Sequence, residues 1–350
     1  MEFYIIKIIF LSTCAFIFTV LWAPILINFL YKHKLGKKIR NNGETPVFSK
    51  LHAHKAGTPT MGGILIWGTL FIFISLFYYL SLLFPNSVIA HFNFLSQKET
   101  LLPLGALMAT ALIGLFDDWL DVSGKGVLGG GGLKMRHRLF IYTLIAIIGA
   151  LWFYFKLDWT LIHIPFFGYF NISWWYIPVF IFVIVATSFS VNETDGLDGL
   201  AGGTLLTAFT SYGIISFVMG RYDLATFCAV IVGALLAFLW FNIQPARFYM
   251  GDTGSMSLGV TLGVIALLTN NVLLLPLIGF IFVAESLSVI IQIFFRKVKK
   301  KKFFLSAPIH HHFQACGWPE YKVVMRFWLI SAVSASVALM IFLLDKNFSF

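Results

Sequence analysis

Four polar clusters interrupt a sequence that is otherwise 59% hydrophobic: Asp117-Asp118, the run Asn192 to Gly199 (NETDGLDG), Met250 to Gly254 (MGDTG) and His310-His311-His312. Gathered carboxylates suggest a metal site, and hard oxygen donors without thiolates favour Mg²⁺ or Mn²⁺ over zinc. Adjacent helical residues point about 100° apart, so Asp117 and Asp118 should not share a role. Asp195 and Asp198 are spaced to share a face at the start of a helix, where negative charge also suits the dipole. Capping is an alternative account of one of them, but not of Asp252, which stands between Gly251 and Gly254 at the mouth of another helix. Three consecutive histidines resemble a zinc tract, yet neighbours in regular structure cannot all aim at one ion. Recognition of a phosphate or sugar by one or two of them is the favoured reading.

Two further groups are ambiguous from sequence. Lys55 precedes Thr58-Pro59-Thr60-Met61-Gly62-Gly63, where Pro59 suits a first helical turn and Thr58 its cap. Free amides there would either receive an anion or simply begin a helix. Glu285 and Gln292 lie on one face of an otherwise apolar segment, as the inner wall of a site or as a packing contact.

The elements that position these groups are membrane spans. Only 11% of the residues are charged, against about a quarter in soluble domains. A spanning helix needs about 20 mainly apolar residues, and ten segments meet or approach that length: 3–31, 61–84, 100–120, 138–156, 172–190, 198–219, 222–242, 254–269, 272–296 and 323–345. No long polar stretch separates them, so residues 1–350 read as a single integral-membrane domain, all-α. The first segment opens Met1-Glu2 without a positive start or cleavage site and reads as a retained span. Cys14 and Cys228 in apolar segments and Cys316 in a basic loop support neither a disulfide nor a zinc framework.

Most of the 25 Lys and Arg residues fall in loops that follow odd-numbered segments. The positive-inside rule then places those loops in the cytoplasm and both termini outside. The four clusters fall on that same cytoplasmic side. The net charge of +10 is therefore a topology signal, with no nucleic-acid partner expected. The run Arg296 to Lys302 is either such an anchor or a seat for anionic membrane lipid.

Taken together, KAGTPTMGG (Lys55 to Gly63), Phe116-Asp117-Asp118, NETDGLDG, Trp240-Phe241-Asn242, YMGDTG (Tyr249 to Gly254), APIHHHF (Ala307 to Phe313) and Arg326-Phe327-Trp328 resemble the phospho-N-acetylmuramoyl-pentapeptide transferases. The match runs in order from about residue 45 to 330. The aspartate motifs belong to the wider superfamily of polyprenyl-phosphate N-acetylhexosamine-1-phosphate transferases, and the histidine stretch indicates the muramoyl-pentapeptide branch. The resemblance implies ten spans, extracytoplasmic termini, an active site on the cytoplasmic face of the bacterial plasma (inner) membrane, and a homodimer. It also implies transfer of phospho-MurNAc-pentapeptide from UDP-MurNAc-pentapeptide to undecaprenyl phosphate with Mg²⁺, giving lipid I and UMP. By motif match Asp117, Asp118 and Asp252 are the central acids, with Asp252 and then Asp117 as metal ligands. Asn192, Asp195, Asp198, Asn242 and Gln292 would line the nucleotide-sugar side. Lys55, Thr60, Lys125 and Lys134 would meet phosphates, and His310 and His311, ahead of His312, would contact substrate.

The second pKa of a phosphate monoester is about 6, so the lipid phosphate is largely dianionic at neutral pH. Asp117 or Asp118 is therefore expected to align metal and acceptor more than to remove a proton. The sequence departs from the family pattern at Glu193, usually apolar, at Gln314, commonly glutamate, and at Gly129 to Gly132, which loosen the loop carrying Lys125. The competing readings are a sister transferase using UDP-GlcNAc and, more remotely, a transporter. The latter is disfavoured because the carboxylates cluster at one interface and no internal repeat is evident.

Overall fold

The computed structural model describes residues 1–36, 57–97, 99–124 and 132–348. Lys55 and Lys125 lie outside the described residues. The helices are α1 (Glu2–Lys32), α2 (Ile64–Leu83), α3 (Leu101–Ser123), α4 (Met135–Lys156), α5 (Tyr176–Thr194), α6 (Leu200–Val218), α7 (Tyr222–Asn242) and α8 (Gly251–Leu268). After them come a short α9 (Leu275–Ile278), α10 (Phe280–Val298), a short α11 (Ile309–Ala315) and the long α12 (Glu320–Phe348). Helices dominate because a chain this apolar must satisfy its backbone hydrogen bonds internally wherever lipid surrounds it.

Among the described residues nine helices are long and apolar enough to cross a membrane, and a bent pair supplies a tenth. The protein is thus a multi-pass membrane protein with the segments that hydropathy marks. The ninth segment departs from the expectation of one continuous span. It breaks at Gly279, and residues 272–278 meet α10 at 82°. Pro276 sits in the first turn of α9 and restricts the geometry there. The sequence of α10 supplies the reason for the turn: Glu285, Ser286, Ser288 and Gln292 are buried against protein, while Leu287, Ile290, Ile293 and Phe294 face outward.

Helix α8 is the axis of the bundle. Its most apolar window is 94% buried, against 22% for α1 and for α4, so α8 is the helix that other helices surround. Apolar side chains gain little by leaving lipid for protein, so helices in a bilayer associate through close packing of small residues. A Cβ added at Gly63 would lie 2.3 Å from the Gly254 Cα, one at Gly114 2.4 Å from the Asp252 carbonyl oxygen, and one at Gly259 2.8 Å from the Ser188 Cα. The first two contacts pin the first turn of α8 to the start of α2 and against α3, and the third packs its third turn against α5. Lys7, near the amino end of α1, is buried within the protein and pairs with Asp223 Oδ1 at 3.2 Å and with the Asn93 carbonyl at 2.7 Å.

Among the described residues one hairpin breaks the all-α pattern. Strands β1 (Leu161–Ile164) and β2 (Gly168–Asn171) form an antiparallel hairpin with Leu161 opposite Asn171 and Ile164 opposite Gly168. Asp345 near the end of α12 holds it, accepting from the Phe166 amide at 2.6 Å and lying 3.3 Å from His163 Nε2. Glu320 at the other end of α12 meets the Asn192 to Gly199 stretch. At 1.5 Å rise per residue these two carboxylates are about 37 Å apart, so the hairpin and the polar motifs occupy opposite ends of the bundle.

Candidate active site

Asp117 and Asp118 lie in the last two turns of α3, ahead of the buried Asp121, and, as their helical spacing requires, point to different partners. Asp117 is fully buried. Its Oδ1 accepts from the Leu133 amide at 2.5 Å, and its Oδ2 lies 2.8 Å from Arg138 Nε. Asp118 instead caps α8: Oδ1 accepts from the Asp252 amide at 3.1 Å and from Thr60 Oγ1 at 3.2 Å, and Oδ2 accepts from the Thr253 amide at 3.0 Å. Those amides belong to the first turn of α8, where orphan donors and the positive end of the dipole attract a carboxylate. Gly251 makes this approach feasible. It adopts φ +74°, and a Cβ there would stand 2.5 Å from Asp118 Oδ2.

Arg138, on the first turns of α4, occupies the middle of the site. Its Nη2 donates to Asp252 Oδ2 at 2.6 Å and its Nη1 to Asn192 Oδ1 at 3.1 Å. Asn192 Nδ2 donates to Asp252 Oδ1 at 2.6 Å and to Ser255 Oγ at 2.9 Å. One guanidinium is thereby shared by Asp117 and Asp252, carboxylates from two helices, with the Asn192 amide oxygen as a third acceptor. Charge-assisted contacts of this kind are the strong ones. Lys134, the expected phosphate contact, stands one turn earlier at the cap of α4 and is half-buried. Among the described residues Arg138 is a cation that reaches the acids, whereas in the charge pattern it stands only as a topology marker.

The remaining motif residues hold the loops around this centre. Asp195 and Asp198 do not sit on the opening turn of α6. That helix starts at Leu200, after a turn ending in Gly199 at φ +81°, so the two side chains diverge. Asp195 Oδ2 accepts from the Gly251 amide at 3.1 Å, and Asp198 Oδ2 from the Ala246 amide at 3.0 Å. Asn242 joins the same loops, accepting from the Gly199 amide at 3.0 Å and donating to the Phe248 carbonyl at 2.7 Å. Trp328 Nε1 donates to the Gly199 carbonyl at 3.1 Å, which brings the Arg326-Phe327-Trp328 motif in as well. Burial, with Asp198, Glu320 and Asp195 nearby, pushes the Tyr249 phenol above its usual pKa, so it stays neutral.

The stretch around Thr60 also differs from its expected form. Helix α2 begins at Ile64, not at Pro59, because Pro59 pairs with Gly36 in an isolated bridge. The amides of Gly62 and Gly63 are committed to the Tyr249 and Met250 carbonyls at 2.7 and 2.8 Å. They tie α2 to the start of α8 instead of receiving an anion.

The three histidines point three ways on α11. His310 Nδ1 lies 3.0 Å from Glu285 Oε2, His311 Nδ1 lies 2.9 Å from Gln314 Oε1, and His312 Nδ1 accepts from the Leu305 amide at 3.2 Å. Gln292 Oε1 accepts from the Phe303 and Phe304 amides at 3.0 and 2.9 Å, and its Nε2 donates to the Phe304 carbonyl at 3.0 Å. The polar face of α10 is therefore a packing contact for the loop that carries the histidines.

Among the described residues no three His, Cys, Asp or Glu side chains are grouped to hold a metal ion. The donor chemistry nonetheless fits a hard divalent cation, because the Asp117 and Asp252 carboxylates already converge on one positive group.

Comparison with known proteins agrees with this geometry. Residues 100–270, from α3 through α8, match the model of glycosyl transferase family 4. Residues 55–66 match signature 1 of the phospho-N-acetylmuramoyl-pentapeptide-transferases. The chain is 38% identical over 346 residues to the phospho-N-acetylmuramoyl-pentapeptide-transferase of Chloroflexus aggregans, covering 95% of this chain and 89% of that one. It is also 38% identical to the enzyme of the same name from a Geobacillus strain, across 93% of this chain and 95% of that one. For the Listeria monocytogenes enzyme the figures are 38%, 94% and 96%.

Proposed function

The chain belongs to the phospho-N-acetylmuramoyl-pentapeptide-transferase family, and from that premise we propose how its site carries out the transfer. The reaction moves phospho-MurNAc-pentapeptide from UDP-MurNAc-pentapeptide to undecaprenyl phosphate, yielding lipid I and UMP. An oxygen of the lipid phosphate attacks the sugar-linked phosphorus of the UDP donor. A new phosphoanhydride P–O bond forms, and the P–O bond to UMP breaks with its electron pair leaving on UMP. One anhydride replaces another, so positioning and charge neutralisation dominate the task.

The observation that carries this reading is the Arg138 guanidinium held between Asp117 and Asp252. Arg138 supplies a fixed, partly buried positive charge where two phosphate groups must meet. Asp118 fixes the first turn of α8 and with it the carboxylate of Asp252. Asp117 and Asp252 would hold Mg²⁺, which when bound would neutralise the pyrophosphate of the donor. A lipid phosphate that is already dianionic needs no strong base, so the acids align their partners. In the proposed orientation this end of the bundle faces the cytoplasm of a bacterium, with both termini outside the inner membrane, and the excess of Lys and Arg in the loops on this side supports it. A homodimeric assembly is part of the same proposal, and the resemblance supports it.

Purified protein supplied with Mg²⁺, undecaprenyl phosphate and either UDP-MurNAc-pentapeptide or UDP-GlcNAc tests the substrate. UMP release from the muramoyl donor is expected. Release from UDP-GlcNAc alone would assign the chain to the sister reaction.

A further inference from the structure

The buried carboxylate of Glu285 is not used by the transfer as derived above. It is fully buried in α10, as is His310, and the two meet at 3.0 Å through Glu285 Oε2 and His310 Nδ1. The other side of the imidazole is equally constrained. A Cβ added at Gly196 would lie 2.3 Å from His310 Nε2, so the ring is packed against the backbone of the turn between Asp195 and Gly199. Asp195 in that turn accepts from the Gly251 amide at 3.1 Å, and Gly251 precedes Asp252. The ring of His311 lies edge-on to that of His310, with centroids 4.0 Å apart.

We propose that Glu285 is a positioning residue: by fixing the ring of His310 it seats the histidine helix α11 against the Asp195 to Gly199 turn, and so sets the placement of Asp252. A buried carboxylate 3.0 Å from one imidazole nitrogen restricts the rotation of the ring, as carboxylates do for catalytic and metal-bound histidines. Glu285 and Gln292 share one face of α10. Gln292 holds the loop before α11 while Glu285 holds α11 itself. The polar face of α10 is thus a two-point seat. Removing the carboxylate frees the ring to rotate against Gly196, and a displacement of about 1 Å at a reacting centre costs on the order of a hundredfold in rate.

This inference rests on the proposed transferase activity, and a double-mutant cycle on Glu285 and His310 tests it. Glu285→Gln keeps length and one acceptor oxygen, whereas Glu285→Ala keeps neither. UMP release is expected to fall in the order wild type, Gln, Ala, with Ala losing about ten- to a hundredfold. Combining Glu285→Ala with His310→Ala should cost no more than the worse single change, because both remove one contact. Losses that multiply would overturn the inference, as would wild-type turnover by Glu285→Ala. Melting in the same detergent is measured in parallel. Activity that merely tracks the fraction folded at assay temperature across the variants would also overturn it, leaving Glu285 a stability residue. Wild-type protein that releases no UMP would fail the transferase reading instead, which keeps the two outcomes distinct.

Discussion

At the scale of single residues, the site separates two neighbouring aspartates by what each touches. Asp117 faces the Arg138 guanidinium, while Asp118 serves the amides of Asp252 and Thr253. Asp118→Ala should therefore reduce both activity and stability, since two helix-start donors lose their acceptor at about 1–3 kcal/mol each. Asp117→Asn should lower turnover at least a hundredfold at pH 7 and at pH 9 alike, in protein shown to remain folded at the assay temperature. Strong recovery by pH 9 would mean that Asp117 removes a proton which added alkalinity can remove in its place. The 100° rule made this division of the pair legible in sequence. Arg138 was not legible, because it stands among Lys134, Arg136 and His137. Which of them faces inward depends on the rotation of α4, which is set by packing against other helices. The family motif pointed to Lys134, which stands one turn earlier at the cap of α4.

Helices and loops carry the next layer of the account. Length and hydropathy located the spans, since a bilayer imposes both directly. They did not reveal the break at Gly279, because an 82° turn between apolar pieces leaves mean hydropathy unchanged. The polar face of α10 was visible as Glu285 and Gln292, but its occupant comes from residues 303–310, a contact that no local pattern encodes. Asp195 and Asp198 were placed on a helical face by their spacing, yet Gly196 and Gly199 let the chain turn there before α6 begins. Gly196 also links this turn to α11. In Gly196→Ala the new methyl would require His310 to move, as its Cβ falls 2.3 Å from Nε2. Overpacking of this kind costs about 1–3 kcal/mol. UMP release should fall by tenfold or more, and should fall less in a Gly196→Ala, His310→Ala double variant relative to His310→Ala alone. An equal loss in both backgrounds would show that the turn does not act through the imidazole.

Across the whole molecule, the polar motifs gather at one end of the bundle and the hairpin of β1 and β2 closes the other. Hydropathy and charge anticipated that one-sidedness, because loops between spans must lie on one face or the other. The hairpin was not anticipated, being short and framed by stronger helical signals. With the motif end in the cytoplasm, as proposed above, a membrane-impermeant nucleotide sugar reaches the site from that side alone. Sealed vesicles of both orientations, loaded with undecaprenyl phosphate and given external UDP-MurNAc-pentapeptide and Mg²⁺, test this site and its placement together. UMP should appear with inverted vesicles, stay at background with right-side-out vesicles, and appear in both once detergent opens them. Release by intact right-side-out vesicles, or from UDP-GlcNAc in place of the muramoyl donor, would contradict the account.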